Sequence, residues 1–494
     1  MTNHHRICRG DACVARAVRA ACVAVLIAAL GCSLNPATGE RQFVIISEQQ
    51  EIAMGREADV GIQQQMGLYP DEDLQHYVQE LGGELAAGSE KPDLPWTFRV
   101  LDDPIVNAFA LPGGYIYVTR GILTHFNSEA ELASVLGHEI GHVTGRHGAE
   151  RMSTAQIATL GLGVAAIASE DFRPYAGLAS QGLGLLFLKF GRDDERQADE
   201  LGLRYMTRGN YDPNEMPRVF ETLGRVSAAH GGGRIPAWLS THPDPGNRAA
   251  RIAEQTRALP PEQQQGKINR DSYLARLEGM PFGQNPREGY VIGSAFYHPD
   301  LAFQLTFPEG WKVVNQRQTV GGISPDQDAL VVLTLAEEGD ADEGFQKFFS
   351  QEGLERGQSW RRSFYYFRTV PPETQQQQQQ QKLQGLVGFV SHGGQLFRLL
   401  SYTSDDKWPG YGRPLQQSLA SFKRLTDRRY LDVEPKRVRL VKIDRAMTLE
   451  EFNRRYPSTV DLAELAIVNG VGEGARFEAG RNVKRIVGGK LPTS

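Results

Sequence analysis

Apolar residues recur at helical spacing near the start of the chain and then alternate with polar residues. The predicted elements are, in order, helices over residues 47–66 and 71–87, a strand over 98–101, and paired strands over 107–111 and 115–118. Pro112-Gly113-Gly114 joins the paired strands as a hairpin turn. Both helices are expected to be packing elements of the domain.

A third helix follows the hairpin and has its own start signal. Ser128, with Glu131 three residues later, predicts a capping box at its first turn. An apolar stripe then consists of Leu132, Val135, Leu136 and Val143. This helix carries GHEIGH, residues 137–142, so His138 and His142 are expected one turn apart on one face.

The chain between residues 154 and 190 is rich in alanine, glycine and leucine. Its apolar runs are too short for transmembrane helices, so buried or lid-forming helices are expected. Another helix is predicted over 193–208, where it ends at Gly209-Asn210.

The character of the sequence changes after Arg257. The expected fold is multidomain: a mainly α, zincin-like domain with a small β-hairpin sheet, then an α+β domain and a small α/β unit that resembles a LysM module. Residues 430–487 of this last unit have the predicted order strand, helix (448–456), helix (461–469), strand. The expected divisions are a signal peptide (1–31), a lipid-anchored tether (32–46), the zincin-like domain (47–257), a linker (258–289), the α+β domain (290–427) and the C-terminal unit (428–494). Residues 375–381 are a glutamine run that predicts a solvated loop.

Composition argues against nucleic acid as a partner, and the first 32 residues indicate where the protein is located. With 494 residues, a formal charge of −5 and a pI near 6.2, the chain has no global attraction for nucleic acid. Its four cysteines are Cys8, Cys13, Cys22 and Cys32, and none lies after residue 32. Arginines followed by the apolar run 20–30 predict a signal peptide. The alternatives are a short uncleaved anchor or a misassigned start.

The residues ALGC, 29–32, resemble a bacterial lipobox, in which the cysteine is lipidated and becomes the first residue of the mature chain. Cys32 would then be the lipid carrier. Ser33, rather than aspartate, implies sorting to the outer membrane, so that the protein would lie on its periplasmic face.

The pentad at 138–142 has the spacing of a zinc site. Imidazoles at i and i+4 can bind one zinc ion, and Glu139 can reach a water on that ion and accept its proton. A catalytic zinc ion needs a third protein ligand and one open position. One zinc ion (Zn2+) per chain is therefore expected, with the third ligand still to be found.

Two residues compete for the third position. His147 is close in sequence, but it stands one place too early for the extended His-Glu-x-x-His-x-x-Gly-x-x-His motif, and a continuous helix would turn it about half a turn away. It is better explained as a polar residue near the helix end. Glu195, on the helix predicted at 193–208, gives a two-histidine, one-glutamate set. Asp199 lies one turn further on, where it can orient a ligand histidine.

Taken together, these segments resemble the CAAX-prenyl-protease type of zinc metallopeptidase, a gluzincin family, and in particular its bacterial lipoprotein branch. The residues that carry the resemblance are NAFALPGG (107–114), ELASVLGHEIGH (131–142), Arg192 with Glu195 and Asp199, and STHP (240–243) with Arg248. It covers residues 45–257, about half of the chain. Gly191 departs from the family, which often has serine there.

The resemblance assigns roles by position. It implies that His138, His142 and Glu195 bind zinc, that Glu139 is the general base, that Asp199 supports a ligand, and that His242 and Arg248 belong to the active site. His242 admits two roles: a donor to the oxyanion of the tetrahedral intermediate, or a fourth zinc ligand that closes the resting site. A third interpretation is that residues 241–245 are simply a turn.

The expected function is zinc-dependent endopeptidase activity in the bacterial cell envelope, on unfolded or misassembled protein segments. The hairpin edge at Asn107, Ala108, Phe109 and Ala110 could hold an extended substrate as an added strand. Expected partners are polypeptide substrates, the membrane through the lipid anchor, and peptidoglycan through the C-terminal unit. The alternative is a lipoprotein assembly factor that acts mainly by binding and whose zinc site is capped or structural.

Overall fold

The computed structural model describes residues 32–162, 190–229, 238, 241–242, 245–361, 363–370 and 382–492. The expected signal peptide, most of the 154–190 stretch and the glutamine run lie outside these residues. The α-helices, numbered over the described residues, are α1 (Glu48–Met66), α2 (Glu72–Ala87), α3 (Arg120–Leu123), α4 (Glu129–Thr144), α5 (His147–Leu162), α6 (Arg192–Arg208), α7 (Glu215–Ala229), α8 (Pro245–Ala258), α9 (Arg270–Arg276), α10 (Ala341–Phe349), α11 (Trp408–Ala420), α12 (Arg428–Leu431), α13 (Leu449–Arg455) and α14 (Leu462–Val468).

Strands form six sheets among the described residues. The first half contains β1 (Cys32–Leu34), β2 (Arg41–Phe43), β3 (Thr97–Leu101), β4 (Ala108–Leu111) and β5 (Tyr115–Thr119). The second half contains β6 (Tyr290–Ile292), β7 (Ala295–His298), β8 (Phe303–Thr306), β9 (Lys312–Gln316), β10 (Thr319–Ile323), β11 (Ala329–Leu335), β12 (Leu354–Ser359), β13 (Phe364–Thr369), β14 (Leu383–His392), β15 (Gln395–Ser404), β16 (Lys423–Arg424), β17 (Lys436–Lys442), β18 (Met447–Thr448), β19 (Arg476–Phe477) and β20 (Asn482–Gly488).

The first domain is mainly helical, as predicted. Its sheet has the order β3-β5-β4, in which β3 is parallel and β4 antiparallel to β5. The apolar face of α2 packs on this sheet, with Leu74 and Val78 buried against Phe98 and Val100. Helix α4 is buried on nearly every side, so it lies at the centre of the domain.

Small residues set the distance between α4 and α6. A β-carbon added at Gly141 would lie 3.0 Å from the carbonyl oxygen of Ala198, and one added at Gly202 would lie 2.9 Å from the amide nitrogen of His138. Larger side chains would therefore push the helices apart. Their close approach places Glu195 of α6 opposite the pentad of α4.

Residues 32–46, expected to be a flexible tether, instead form a docked hairpin. Strands β1 and β2 pair antiparallel, and Asn35 and Gln42 are buried although they are polar. Val44 and Ile46 pack against Ala149 of α5. Apolar burial and the turn hydrogen bonds explain why this segment is ordered against the domain, which its proline, glycine and asparagine content did not predict.

Residues 258–289, expected to be a linker, contribute to the core instead. Tyr273 and Leu277 are buried in the same apolar cluster as α4, and the Tyr273 hydroxyl donates a hydrogen bond of 2.8 Å to the carbonyl oxygen of Leu123. Polar residues at 259–266 masked this continuity in the sequence.

The C-terminal unit has the predicted order strand, helix, helix, strand, formed by β17, α13, α14 and β20. Its apolar residues Val438 and Phe452 belong to the same cluster as the peptidase-like domain. Lys484 is fully buried there, and its ammonium donates to the carbonyl oxygens of Thr124 (2.9 Å) and Phe126 (2.7 Å). The unit is thus docked just before the start of α4.

Between these parts lies an α+β region, as predicted. A seven-stranded antiparallel sheet has the order β12-β13-β14-β15-β11-β10-β9, and a four-stranded sheet has the order β16-β8-β7-β6. Helix α11 packs against the larger sheet through Leu415 and Leu419. Within the described part of the chain, every helix is too short or too polar to cross a lipid bilayer.

Candidate metal centre

Helix α4 delivers the two histidines of the pentad. The Ser128 hydroxyl accepts a hydrogen bond from the amide of Glu131 (3.1 Å), which caps the helix as predicted. The reciprocal half of the capping box is absent among these residues, because the Glu131 carboxylate instead accepts from the amide of Asn127 (2.6 Å). The helix then runs without interruption through both histidines.

Four buried side chains converge on one point. The ligand atoms of His138, His142, Glu195 and His242 all lie within 4.8 Å of one another. The Nε2 atoms of His138 and His142 are 3.0 Å apart, and Oε1 of Glu195 is 3.5 Å from Nε2 of His142. Tetrahedral ligands at about 2.1 Å from zinc lie about 3.4 Å from one another, so this spacing fits a zinc ion.

Asp199 and Arg248 stand behind the ligands. Oδ1 of Asp199 is 3.0 Å from Nδ1 of His138, which leaves Nε2 of that histidine facing the cluster. Arg248 donates to both oxygens of Asp199 (2.9 and 2.6 Å), and its Nη1 lies 2.8 Å from Oε2 of Glu195. Although burial opposes ionisation, Arg248 and His138 hold the pKa of Asp199 well below its usual value. Arg248 therefore positions the carboxylates rather than facing a substrate.

Glu139 is fully buried beside the cluster. Neither of its carboxylate oxygens has a hydrogen-bond partner among the described residues, and its nearest charged neighbour is Nε2 of His242 at 3.7 Å. Burial raises the pKa of Glu139 above its usual value. A buried carboxylate without a hydrogen-bond partner costs free energy of folding. A carboxylate that faces a cluster of metal-ligand side chains is suited to accept a proton.

His242 reaches into the cluster from the segment before α8. Its Nδ1 is 2.8 Å from Oε1 of Glu195 and 3.3 Å from Nε2 of His138. The ring stacks on Trp238, with a centroid distance of 5.0 Å. Burial lowers the pKa of His242, but Glu195 and Glu139 outweigh it and raise the pKa above its usual value. His242 thus occupies the side of the cluster that the other three residues leave open.

His147 is buried beside His142 rather than exposed at a helix end. Helix α4 stops at Thr144, and Arg146 adopts a left-handed backbone conformation (φ 58°), so α5 starts in a new direction at His147. Its Nδ1 lies 2.9 Å from Nδ1 of His142, and its Nε2 lies 2.7 Å from Oε1 of Gln197. His147 is therefore next to a ligand without being one, and the continuous-helix assumption was wrong.

Three contributors to the centre were missed in the sequence. Gln197 contacts His147, Asn35 contacts Gln197, and Phe190 stacks on His142 with a centroid distance of 4.0 Å. Asn35 and Phe190 are remote in sequence from the ligands they support. Gln197 had one available signal, since it lies two residues after Glu195 on the same helix.

The hairpin edge lies beside the cluster of four ligand side chains. Strand β4 is the outer strand of its sheet and packs next to α4. The amide of Thr119 donates to the carbonyl oxygen of Asn107 (3.1 Å), so residues 107, 109 and 111 direct their main-chain groups towards β5. By alternation, the main-chain groups of Ala108 and Ala110 face away from the sheet.

Helices that bring two histidines, a glutamate and a free carboxylate together in this way are the framework of a zinc-dependent metallopeptidase. Residues 72–256 match Peptidase family M48. M48 metallopeptidases use zinc, which agrees with the donor set present here. The family resemblance seen in the motifs is thereby confirmed.

Several relatives match part of the chain. The chain is 36% identical over 200 residues to the putative beta-barrel assembly-enhancing protease of Vibrio cholerae (38% of this chain, 40% of the relative). It is 30% identical over 260 residues to the beta-barrel assembly-enhancing protease of Escherichia coli (50% and 51%). It is 35% identical over 195 residues to the mitochondrial metalloendopeptidase OMA1 of Arabidopsis thaliana (38% of each). The chain thus spans about half or less of these relatives.

Proposed function

We propose that the protein is a zinc-dependent endopeptidase that cleaves extended segments of unfolded or misassembled proteins. The observation that carries the proposal is the Glu139 carboxylate, which is fully buried, without a hydrogen-bond partner among the described residues, and next to the ligand cluster. A purely structural zinc site has four protein ligands and no use for a base beside them.

The chain's own residues divide the chemistry between them. His138, His142 and Glu195 would hold the zinc ion, which when bound acidifies water and polarises the substrate carbonyl. Glu139 would accept the proton of the attacking water and then release it to the leaving amine. Asp199 and Arg248 fix the orientation of His138 and Glu195.

The substrate would lie along β4 as an added strand. The main-chain groups of Ala110, a partly exposed residue, face away from the sheet and can pair with an added strand, whereas Ala108 is fully buried. The strand runs beside the helix that carries the pentad. Strand addition reads main-chain groups rather than side chains, so it selects segments that are already unfolded. A folded protein offers few such segments.

The proposal is tested with Glu139→Gln. The amide is nearly isosteric but cannot accept a proton, so zinc content and thermal unfolding should match the wild type while casein cleavage falls at least 100-fold. Glu195→Ala is the matched control, because it should lose zinc and activity together. Comparable casein cleavage by Glu139→Gln and the wild type, with zinc content measured in both, would refute the mechanism.

We further propose that the protein works in the bacterial envelope, lipidated at Cys32 and tethered to the periplasmic face of the outer membrane. The support is the lipobox-like ALGC sequence and the names of two bacterial relatives. A lipid label on the wild-type protein that disappears in Cys32→Ser would support the anchor; a wild-type protein that takes up no lipid would exclude it. The LysM-like order of the C-terminal unit supports peptidoglycan as a partner.

A second candidate function is favoured by His242. Because its Nδ1 lies within the ligand cluster, His242 can serve as a fourth protein ligand that closes the resting centre. A lipoprotein that keeps this closed state would act as an assembly factor by binding alone. The two functions differ in whether any unfolded substrate is cleaved by the zinc-loaded protein.

A further inference from the structure

We infer that the N-terminal hairpin, residues 32–46, is a positioning element of the metal centre. Through hydrogen bonds with Gln197 and His147, Asn35 determines which ring nitrogen of His142 is unprotonated and able to bind the zinc ion. The inference rests on the proposed zinc centre and adds to it a residue 107 positions away from His142. It follows from a chain of hydrogen bonds whose direction is fixed at one end.

That end is the hairpin turn. Oδ1 of Asn35 accepts hydrogen bonds from the amides of Ala37 (2.9 Å) and Thr38 (3.3 Å). The Asn35 side chain must therefore turn its NH2 group towards the domain. There it donates to the carbonyl oxygen of Gly145 (3.1 Å) and to Oε1 of Gln197 (2.9 Å). Both acceptors lie at the junction between the metal-binding helices and α5.

The hydrogen bond from Asn35 fixes the orientation of the Gln197 side-chain amide. Since Asn35 presents a donor, Gln197 must present its oxygen, and that same oxygen lies 2.7 Å from Nε2 of His147. His147 therefore carries its proton on Nε2, and its Nδ1 is a bare acceptor. Nδ1 of His147 is 2.9 Å from Nδ1 of His142, so His142 must carry its proton on Nδ1.

This leaves Nε2 of His142 unprotonated, and Nε2 is the atom that lies in the ligand cluster. A zinc ion requires a bare nitrogen, so the hairpin turn selects the tautomer that binds. A second contact keeps the hairpin in place, because Arg146 donates to the carbonyl oxygen of Ile46 (2.6 Å) and pairs with Glu51 of α1. The hairpin thus contacts both residues between α4 and α5.

The direction of the chain gives a test in which two amide-to-acid substitutions have opposite outcomes. Asn35→Asp keeps the acceptor that closes the turn but removes the donor. Gln197 would then present its NH2 group, His147 would carry its proton on Nδ1, and the proton of His142 would be forced onto Nε2. Gln197→Glu still accepts from both Asn35 and His147, so the direction is kept.

We expect Asn35→Asp to weaken zinc binding about 10- to 100-fold, the usual loss when a partner behind a metal ligand is removed. Gln197→Glu should bind within about threefold of the wild type. Affinity is measured by competition with a chromophoric chelator, and two-bond 15N–1H spectra of the histidine-labelled protein report which ring nitrogen carries each proton. In Asn35→Asp the His147 proton should move from Nε2 to Nδ1.

Two further variants guard against a loss of fold. Gln197→Leu breaks the chain on α6 without touching the turn, and it should also weaken zinc binding. Ser153→Ala removes the hydroxyl that accepts from the amide of Ile45 (3.1 Å), so it loosens the other end of the hairpin and should leave zinc affinity unchanged.

Equal affinities of Asn35→Asp and the wild type, or equal losses in Asn35→Asp, Gln197→Glu and Ser153→Ala, would overturn the inference. Failure of the wild type itself to bind zinc would instead defeat the proposed function. The two failures are therefore distinct.

Discussion

His242 lies between Glu195 and the proposed base Glu139. Its Nδ1 is 2.8 Å from Oε1 of Glu195, and its Nε2 is 3.7 Å from Oε1 of Glu139. If this ring takes the fourth ligand position, a substrate carbonyl can reach a bound zinc ion only after the ring has moved.

We therefore expect His242→Ala to raise basal cleavage of an unfolded substrate, because removal of the ring opens the fourth position. The alternative role, as a donor to the oxyanion, predicts a fall in turnover of about 10²- to 10³-fold for the same change. Casein turnover by zinc-verified protein separates the two. Unchanged turnover would exclude both roles and leave residues 241–245 as a turn.

At the scale of single residues, the sequence predicts the positions of those site residues that depend on helical spacing. His138 and His142 fall on one face because nothing interrupts α4 between them, and Glu195 was found because its helix could be recognised independently. His147 was misplaced because the left-handed conformation of Arg146 carries no clear sequence signal in a non-glycine residue. Asn35 could not be found, since its partners arise only from docking.

At the scale of elements, two contacts decide the geometry of the centre. The glycine and alanine seam between α4 and α6 sets the distance from the pentad to Glu195. Strand β4 would set the path of the proposed substrate relative to that centre. The sequence predicted an edge at residues 107–110 of the hairpin, and the strand order β3-β5-β4 shows that β4 has no further strand beside it among the described residues.

Ala110→Pro tests the substrate path. Proline removes the outward amide of Ala110 but none of the hydrogen bonds to β5, and edge strands tolerate it. We expect kcat/KM for an unfolded substrate to fall about 10- to 100-fold, with zinc content unchanged. Ala110→Ser, which keeps the amide, is the matched control and should stay near the wild type. Similar kcat/KM values for the two variants would show that substrate does not pair with β4.

At the scale of the whole molecule, the C-terminal unit is fastened to the peptidase domain through Lys484. Burial lowers the pKa of this ammonium group well below its usual value, and Glu131 opposes that effect. The order of strands and helices in the unit was predictable from its local sequence. Its docking was not, because a lysine in a strand ordinarily indicates a solvated position.

Lys484→Met should destabilise the protein by about 3 kcal/mol, because it leaves the carbonyl oxygens of Thr124 and Phe126 without their donor. Thermal unfolding measures the change. Lys442→Met, at an exposed position of β17, is the matched control and should unfold near the wild-type temperature. Equal unfolding temperatures for both variants would show that the docking contact contributes little.

The docked hairpin also sets a distance. Asn35 lies three residues after Cys32, and three extended residues span about 10 Å. If lipid is attached at Cys32 as proposed, only a short segment separates the lipid from the domain. The distance between the metal centre and the bilayer surface is then nearly constant. Such an enzyme samples a thin layer next to the membrane, and chains that emerge from or stall at that surface come within its reach while proteins deeper in the periplasm do not.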